Sequence, residues 1–220
     1  MILDIHESIS NNITHLEVRQ DNQVLMHSRF KTDADAFACE ITDPDNQLLY
    51  TMENAQHYSL FFGRPIGQLF WTGKCDKANI LDQEGKQVGL LKERKARRFD
   101  FYYEVEMDTG SVLIYYTSRK KEYYFSAYIG DKLIAMITRN LPHYTEGEAY
   151  RLYLDDDYQK ATDVLVQFTT YIHMELHVIN GYDEEVEGPK VFPDKYTSQY
   201  FQPDWLRMNF GVVIGDTDNQ

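Results

Sequence analysis

The residues best able to bind a charged partner lie in two short basic runs. Lys92, Arg94, Lys95, Arg97 and Arg98 fall within seven positions, interrupted by one acid, Glu93; Arg119, Lys120 and Lys121 form the second run. They stand out in a chain with 22 Lys+Arg against 35 Asp+Glu, a formal net charge of −13. Between the runs, Phe99, Phe101, Tyr103, Val105 and Met107 alternate with Asp100, Tyr102, Glu104 and Glu106, the period of a strand with one face inward. Asp108, Thr109 and Gly110 turn the chain and SVLIYYTS returns it. Paired as a hairpin, residues near 98 lie opposite those near 120 and 121. Like charges opposed across strands are unfavourable, so the arrangement calls for nearby acids or an anionic ligand. The same residues also fit a solvated loop whose charge deters edge-to-edge aggregation.

Other patterns carry less chemistry. His173 and His177 have the i, i+4 spacing of a metal pair, but Met174, Glu175 and Leu176 between them do not make HExxH, and a third ligand is not evident. They read better as a buried, hydrogen-bonded His173 and a His177 at the negative end of a helix. Asp155, Asp156 and Asp157 fit helix capping better than cation binding. GQLFWTGKC resembles a phosphate loop but has five residues between its glycines and Cys75 where Ser or Thr belongs. No nucleophile elbow or zinc-ribbon spacing occurs, so no catalytic residue, metal or cofactor is expected. Cys39 and Cys75 form no CxxC pair and read as free thiols of a reducing compartment. So acidic a chain is a poor general nucleic-acid binder. MILDIHESISNN has neither a basic lead nor a long apolar run, so the expected location is cytoplasmic.

The element that organises the rest is a helix over residues 157–177. Ala161, Val164, Leu165, Phe168, Ile172 and Leu176 make one face, while Val166, Met174 and the methyls of Thr169 and Thr170 lie elsewhere. A helix apolar nearly all round must be wrapped, and Gln167, Thr169, Thr170 and His173 argue for protein over lipid as the wrapping. Asn180 and Gly181 are its stop signal. Residues 1–12 read as a loose lead-in. From Thr14 onward the chain is a series of short strands split by turn chemistry at Asp21-Asn22, Pro44-Asp45-Asn46, Gly63-Arg64-Pro65-Ile66, Glu84-Gly85, Asp108-Thr109-Gly110 and Gly130-Asp131. About a dozen strands at roughly ten-residue spacing point to a barrel or a sandwich. ITDPDNQLL and ILDQEGKQV look like a weak internal repeat, or like one turn chemistry used twice. After Gly181 an acidic loop leads to Phe192, Tyr196, Tyr200, Phe201, Trp205, Leu206 and Phe210, too many anchors for a disordered tail. These residues are expected to pack on the β-structure, with MNFGVVIG adding an edge strand.

The order of features, hairpins marked by acidic turns, then LLKERKARRFDFYYEV, then a buried helix behind LYLDDDY, resembles the tubby C-terminal-like superfamily, which includes the LURP-one-related and phospholipid scramblase families. The resemblance covers about residues 14–178 and rests on pattern, without a sharp motif. It implies a mainly β fold: a closed, roughly twelve-stranded antiparallel barrel around one hydrophobic C-terminal helix, occupying residues 1–180; the aromatic anchors make 181–220 an extension packed upon it. It also implies a non-enzymatic protein binding phosphoinositide-like headgroups at a membrane surface through its basic residues. Two departures stand against it. The chain runs on past the helix, and the EF-hand-like pattern of scramblases fails, because Lys160 and Val166 stand where its glycine and glutamate belong. Calcium binding is therefore not carried over. A phosphorylated small molecule is a second anionic ligand of the same chemistry. The alternative function is a protein-interaction or scaffold role for the aromatic extension.

Overall fold

The computed structural model describes residues 1–10, 13–33, 36–54, 74–95, 101–108, 110–119, 122–140, 148–178 and 196–214. Twelve strands run in chain order: β1 (Ile2–Ser10), β2 (Ile13–Gln20), β3 (Gln23–Asp33), β4 (Ala36–Thr42), β5 (Leu48–Asn54), β6 (Lys74–Asp82), β7 (Gln87–Lys95), β8 (Phe101–Met107), β9 (Gly110–Arg119), β10 (Glu122–Ile129), β11 (Lys132–Asn140) and β12 (Glu148–Leu154). Each pairs antiparallel with its sequence neighbours, and β1 pairs with β12, so the sheet closes into a barrel and leaves no free edge. The first strand corrects the expectation of a loose lead-in. Leu3 and Ile5 face the core, and Glu7, two residues on, keeps the same inward parity. That inward charge is what broke the apolar pattern in the sequence.

One end of the barrel, here the upper, is sewn by short turns. Asp21 and Asn22 both take positive φ (49° and 65°), matching the right-handed twist of the flanking strands. The two turns of the apparent repeat have one geometry. Asp43 Oδ1 accepts from the amides of Asp45 and Gln47, and Asp82 Oδ1 accepts from those of Glu84 and Lys86. Asn46 (φ 62°) and Gly85 (φ 77°) fill the same left-handed position. Turn chemistry used twice accounts for the likeness. The 63–66 turn lies outside the described residues.

From the upper end the chain drops through the barrel. Residues Asp156–Ala161 form a 3-10 segment with a kink at Tyr158, and α1 (Thr162–Val178) follows. The α-helix thus starts five residues later than the 157 read from sequence. The three aspartates shape this lead-in: Asp155 Oδ1 accepts from the Asp157 amide, and its other oxygen pairs with Lys132 Nζ at 3.1 Å. Backbone and lysine together hold the Asp155 carboxyl below its ordinary pKa. Below it, Val164, Leu165, Val166, Phe168, Tyr171 and Ile172 meet the inward-facing residues of the strands in one continuous core. Phe168 sits between the rings of Tyr103 (5.3 Å) and Phe125 (5.4 Å). The barrel is therefore filled by its own helix, as its all-round apolarity required.

A second apolar cluster covers the outside. Tyr115, Tyr124, Tyr128, Leu133, Met136 and Tyr153 face outward and are buried under Trp205 and Leu206. These two sit on α2 (Pro203–Phe210), which corrects the expected edge strand. Pro203 in the first turn, Asp204 beside it and left-handed Gly211 (φ 69°) just past the end are the start and stop signals of a helix.

Candidate functional site

The described parts of the two basic runs reach the lower end, where β7 finishes at Lys95 and β9 at Arg119. Arg97, Arg98, Lys120 and Lys121 lie outside the described residues, and for Lys95 only the backbone is described. The cations whose side chains are described are matched by acids. Outward-facing Lys92 pairs with Glu106, and Arg94 Nε with Glu104 Oε2 at 2.9 Å, across the β7–β8 ladder. Arg119 stands opposite Glu122 in the β9–β10 register and places its guanidinium 5.7 Å from the centre of the Phe201 ring. Nearby acids thus offset part of the positive charge, one of the two remedies that sequence reasoning left open.

The expected hairpin forms, and among the described residues its pairing does not extend to the cations. The β8–β9 register runs from Met107↔Gly110 to Tyr102↔Tyr115. Beyond that point the tail takes the place of β8: Ser118 and Tyr196 exchange both backbone hydrogen bonds, at 2.7 and 3.0 Å. The Tyr196 ring packs on the inner cluster and stacks on Tyr116, while Tyr200, four residues on, stacks on outward-facing Tyr115 at 3.8 Å. The tail therefore runs from the barrel wall at Tyr196 onto the outer surface at Tyr200, beside Arg119.

A group of polar residues that sequence reasoning did not assemble lies inside the lower barrel. His173 on α1 is fully buried, with Nε2 3.4 Å from Glu7 Oε1 of β1. The edge of its ring meets Tyr150 of β12, centres 5.6 Å apart, and Arg139 of β11 lies 5.4 Å over that tyrosine. Burial pushes the His173 pKa below its ordinary value; Glu7 pulls the other way and loses. Burial also drives the Tyr150 phenol far up, despite Arg139. The reading of His173 as a buried, partnered histidine matches this geometry, and the side chain of His177 lies outside the described residues. Glu7, Tyr150 and Arg139 could have been found only from strand parity, and β1 had not been recognised as a strand.

Among the described residues no group of three or more His, Cys, Asp or Glu is placed to hold a metal. Cys39 is buried and unbridged, and burial raises its thiol to about 12, beyond useful nucleophilicity. A groove of about 390 Å³ lies at the upper end, away from the basic runs, lined by Ile2, Asp4, Asp21, Arg151 and Val212 among others. Its only described cation, Arg151, is paired with Asp4 at 2.6 Å. No helix among the described residues is long and apolar enough to cross a membrane. Against protein-family models, curated proteins and solved structures, the chain finds no match.

Proposed function

We propose that the chain is a non-enzymatic binding module, similar in kind to the tubby C-terminal-like proteins, that recognises anionic headgroups through the basic residues at the lower end of its barrel. The supporting observation is a shared end: strand β7 finishes at Lys95 and β9 at Arg119, both at the lower end of the barrel, and Arg97, Arg98, Lys120 and Lys121 follow within three positions in sequence. The helix-filled core supports a surface-binding role over chemistry inside the barrel. A phosphoinositide-like headgroup and a soluble phosphorylated molecule share the chemistry. A peripheral, cytoplasmic setting belongs to the same proposal.

The test is vesicle flotation at low and moderate salt, with and without anionic lipid, beside a soluble inositol phosphate titration. An R97E/R98E/K120E/K121E variant, verified as folded by circular dichroism, is the control. Binding that needs anionic lipid, weakens with salt and disappears in the variant supports the reading; titration by the soluble phosphate alone assigns a free ligand. No binding of either at low salt overturns it. A protein-interaction role for the extension is the second reading. Among the described residues, its anchors from Tyr196 to Phe210 are engaged with the barrel, which leaves Met208 (72% exposed) and Val213 (74%) as the exposed large apolar side chains of the extension.

A further inference from the structure

We propose that Tyr115 and Tyr200 form an oxidative cross-linking site, at which a one-electron oxidant joins the two phenols into a dityrosine and fixes the C-terminal extension to the barrel wall. The side chains come from distant parts of the chain, β9 and the segment leading into α2. Their rings stack with centres 3.8 Å apart and planes 22° from parallel, and their hydroxyls share a hydrogen bond. Rings stacked with adjoining hydroxyls bring together the ε carbons that flank each oxygen, and those carbons carry much of the spin of a phenoxyl radical. The neighbouring phenols are less well placed: Tyr102 is tilted 5.3 Å from Tyr115, and Tyr128 is edge-on to both rings at 5.6 and 5.7 Å. The backbone of Tyr200 is tied in position. Its carbonyl accepts from the Tyr128 hydroxyl at 2.6 Å and its amide donates to Ser198 Oγ at 3.2 Å, while the Ser198 amide donates to Thr117 Oγ1 of β9 at 3.1 Å. Two radicals formed here are held face to face and need not meet by diffusion. Tyr115 is buried and Tyr200 keeps part of its surface in solvent, so Tyr200 is the phenol that an outside oxidant meets.

The reaction balances without a group from the protein. Each phenol gives one electron to the oxidant and its hydroxyl proton to solvent. The two radicals pair in a carbon–carbon bond between ε carbons, and the hydrogen on each joined carbon moves to its oxygen, which restores both phenols. Two electrons and two protons leave, and two equivalents of a one-electron oxidant, such as a high-valent metal complex, are reduced. The new bond survives the opening of α2, which the packing of the extension does not. The site is independent of the lipid reading, since neither the basic runs nor a vesicle enters it.

The experiment is photo-oxidation of the dilute full chain with tris(bipyridyl)ruthenium and persulfate, beside Tyr200→Phe, which keeps the ring and has no phenol to couple. A monomer lighter by two hydrogen atoms is expected, with dityrosine fluorescence and a digest in which the peptides holding Tyr115 and Tyr200 are joined. The variant should lack that joined product. Its absence from the native wild type, or an equal yield from wild type oxidised in urea, overturns the site. Fastening is read on the cross-linked wild type and needs no variant: hydrogen exchange at the Ser118 and Tyr196 amides should slow about tenfold or more. Exchange unchanged by the cross-link overturns the fastening.

Discussion

Leu206→Ala should loosen the C-terminal extension, and Met208→Ala should not. Both residues lie on α2, two positions apart; Leu206 is fully buried against the outer barrel wall and Met208 is 72% exposed. The leucine truncation removes three carbons, worth about 2.4 kcal/mol of transfer free energy at about 0.8 kcal/mol per methylene. A cavity term adds to this, but an eight-residue helix lying on a surface can settle into the gap. We therefore expect about 2–3 kcal/mol, the low end for a buried Leu→Ala change. Met208→Ala should fall within about 0.5 kcal/mol of wild type. The assay is hydrogen exchange at the paired amides of Ser118 and Tyr196, where the tail enters the sheet. Opening there should accelerate about 30- to 150-fold in the leucine variant, a local event that need not unfold the barrel. Equal exchange in the two variants would show that the apolar contacts of α2 do not hold the tail, and the packing argument would fail.

Four further outcomes follow from the barrel itself. Phe168→Ala should cost about 3–5 kcal/mol in urea unfolding, because the ring is fully buried between Tyr103 and Phe125; a loss under 1 kcal/mol would mean α1 is not part of the core. Gln167→Met should raise stability by about 1 kcal/mol, since neither amide atom of this fully buried side chain meets a hydrogen-bond partner among the described residues; a destabilised variant would point to a polar partner. Gly89→Ala should destabilise by about 1–3 kcal/mol, because the added carbon would lie 2.8 Å from the Glu106 carbonyl oxygen, which is backbone and cannot swing aside. In a Cys75→Ser background, Cys39 should resist iodoacetamide at pH 8 until denaturant is added, as its thiol lies at about 12; labelling of the native protein would refute this.

The barrel and its central helix were legible in the sequence because both signals are redundant. Many turns carry Asn, Asp or Gly at positions requiring positive φ, and the apolar belt of α1 leaves no polar stripe to face water. The misread segments are those where two signals compete. In β1, Glu7 occupies an inward position, so alternation fails where a charge has a buried partner. At MNFGVVIG, residues 208–215, the apolar pattern resembled a strand, while Pro203 and Gly211 marked a helix that takes in its first three residues. The 3-10 lead-in was hidden because aspartates favour helical N-termini of either kind. For the basic runs, local sequence gave the hairpin but not its length. That the tail displaces β8 beside Ser118 depends on residues nearly eighty positions away, and no local pattern encodes it.

The order of strands has a consequence for how the protein is made. Eleven of the twelve strand pairings join neighbours in sequence, and only β1 with β12 spans most of the chain. The meander can zip up by short loop closures as it leaves the ribosome. The helix that must fill it is synthesised after the last strand, so the wall exists before its contents. Until α1 emerges the inward faces of all twelve strands have nothing to cover them, and the first strand waits with an unpaired edge. Enclosing α1 and joining β1 to β12 must then occur nearly together, late and in one concerted step. Ribosome-bound chains halted before residue 162 should accordingly be the most aggregation-prone species on the pathway.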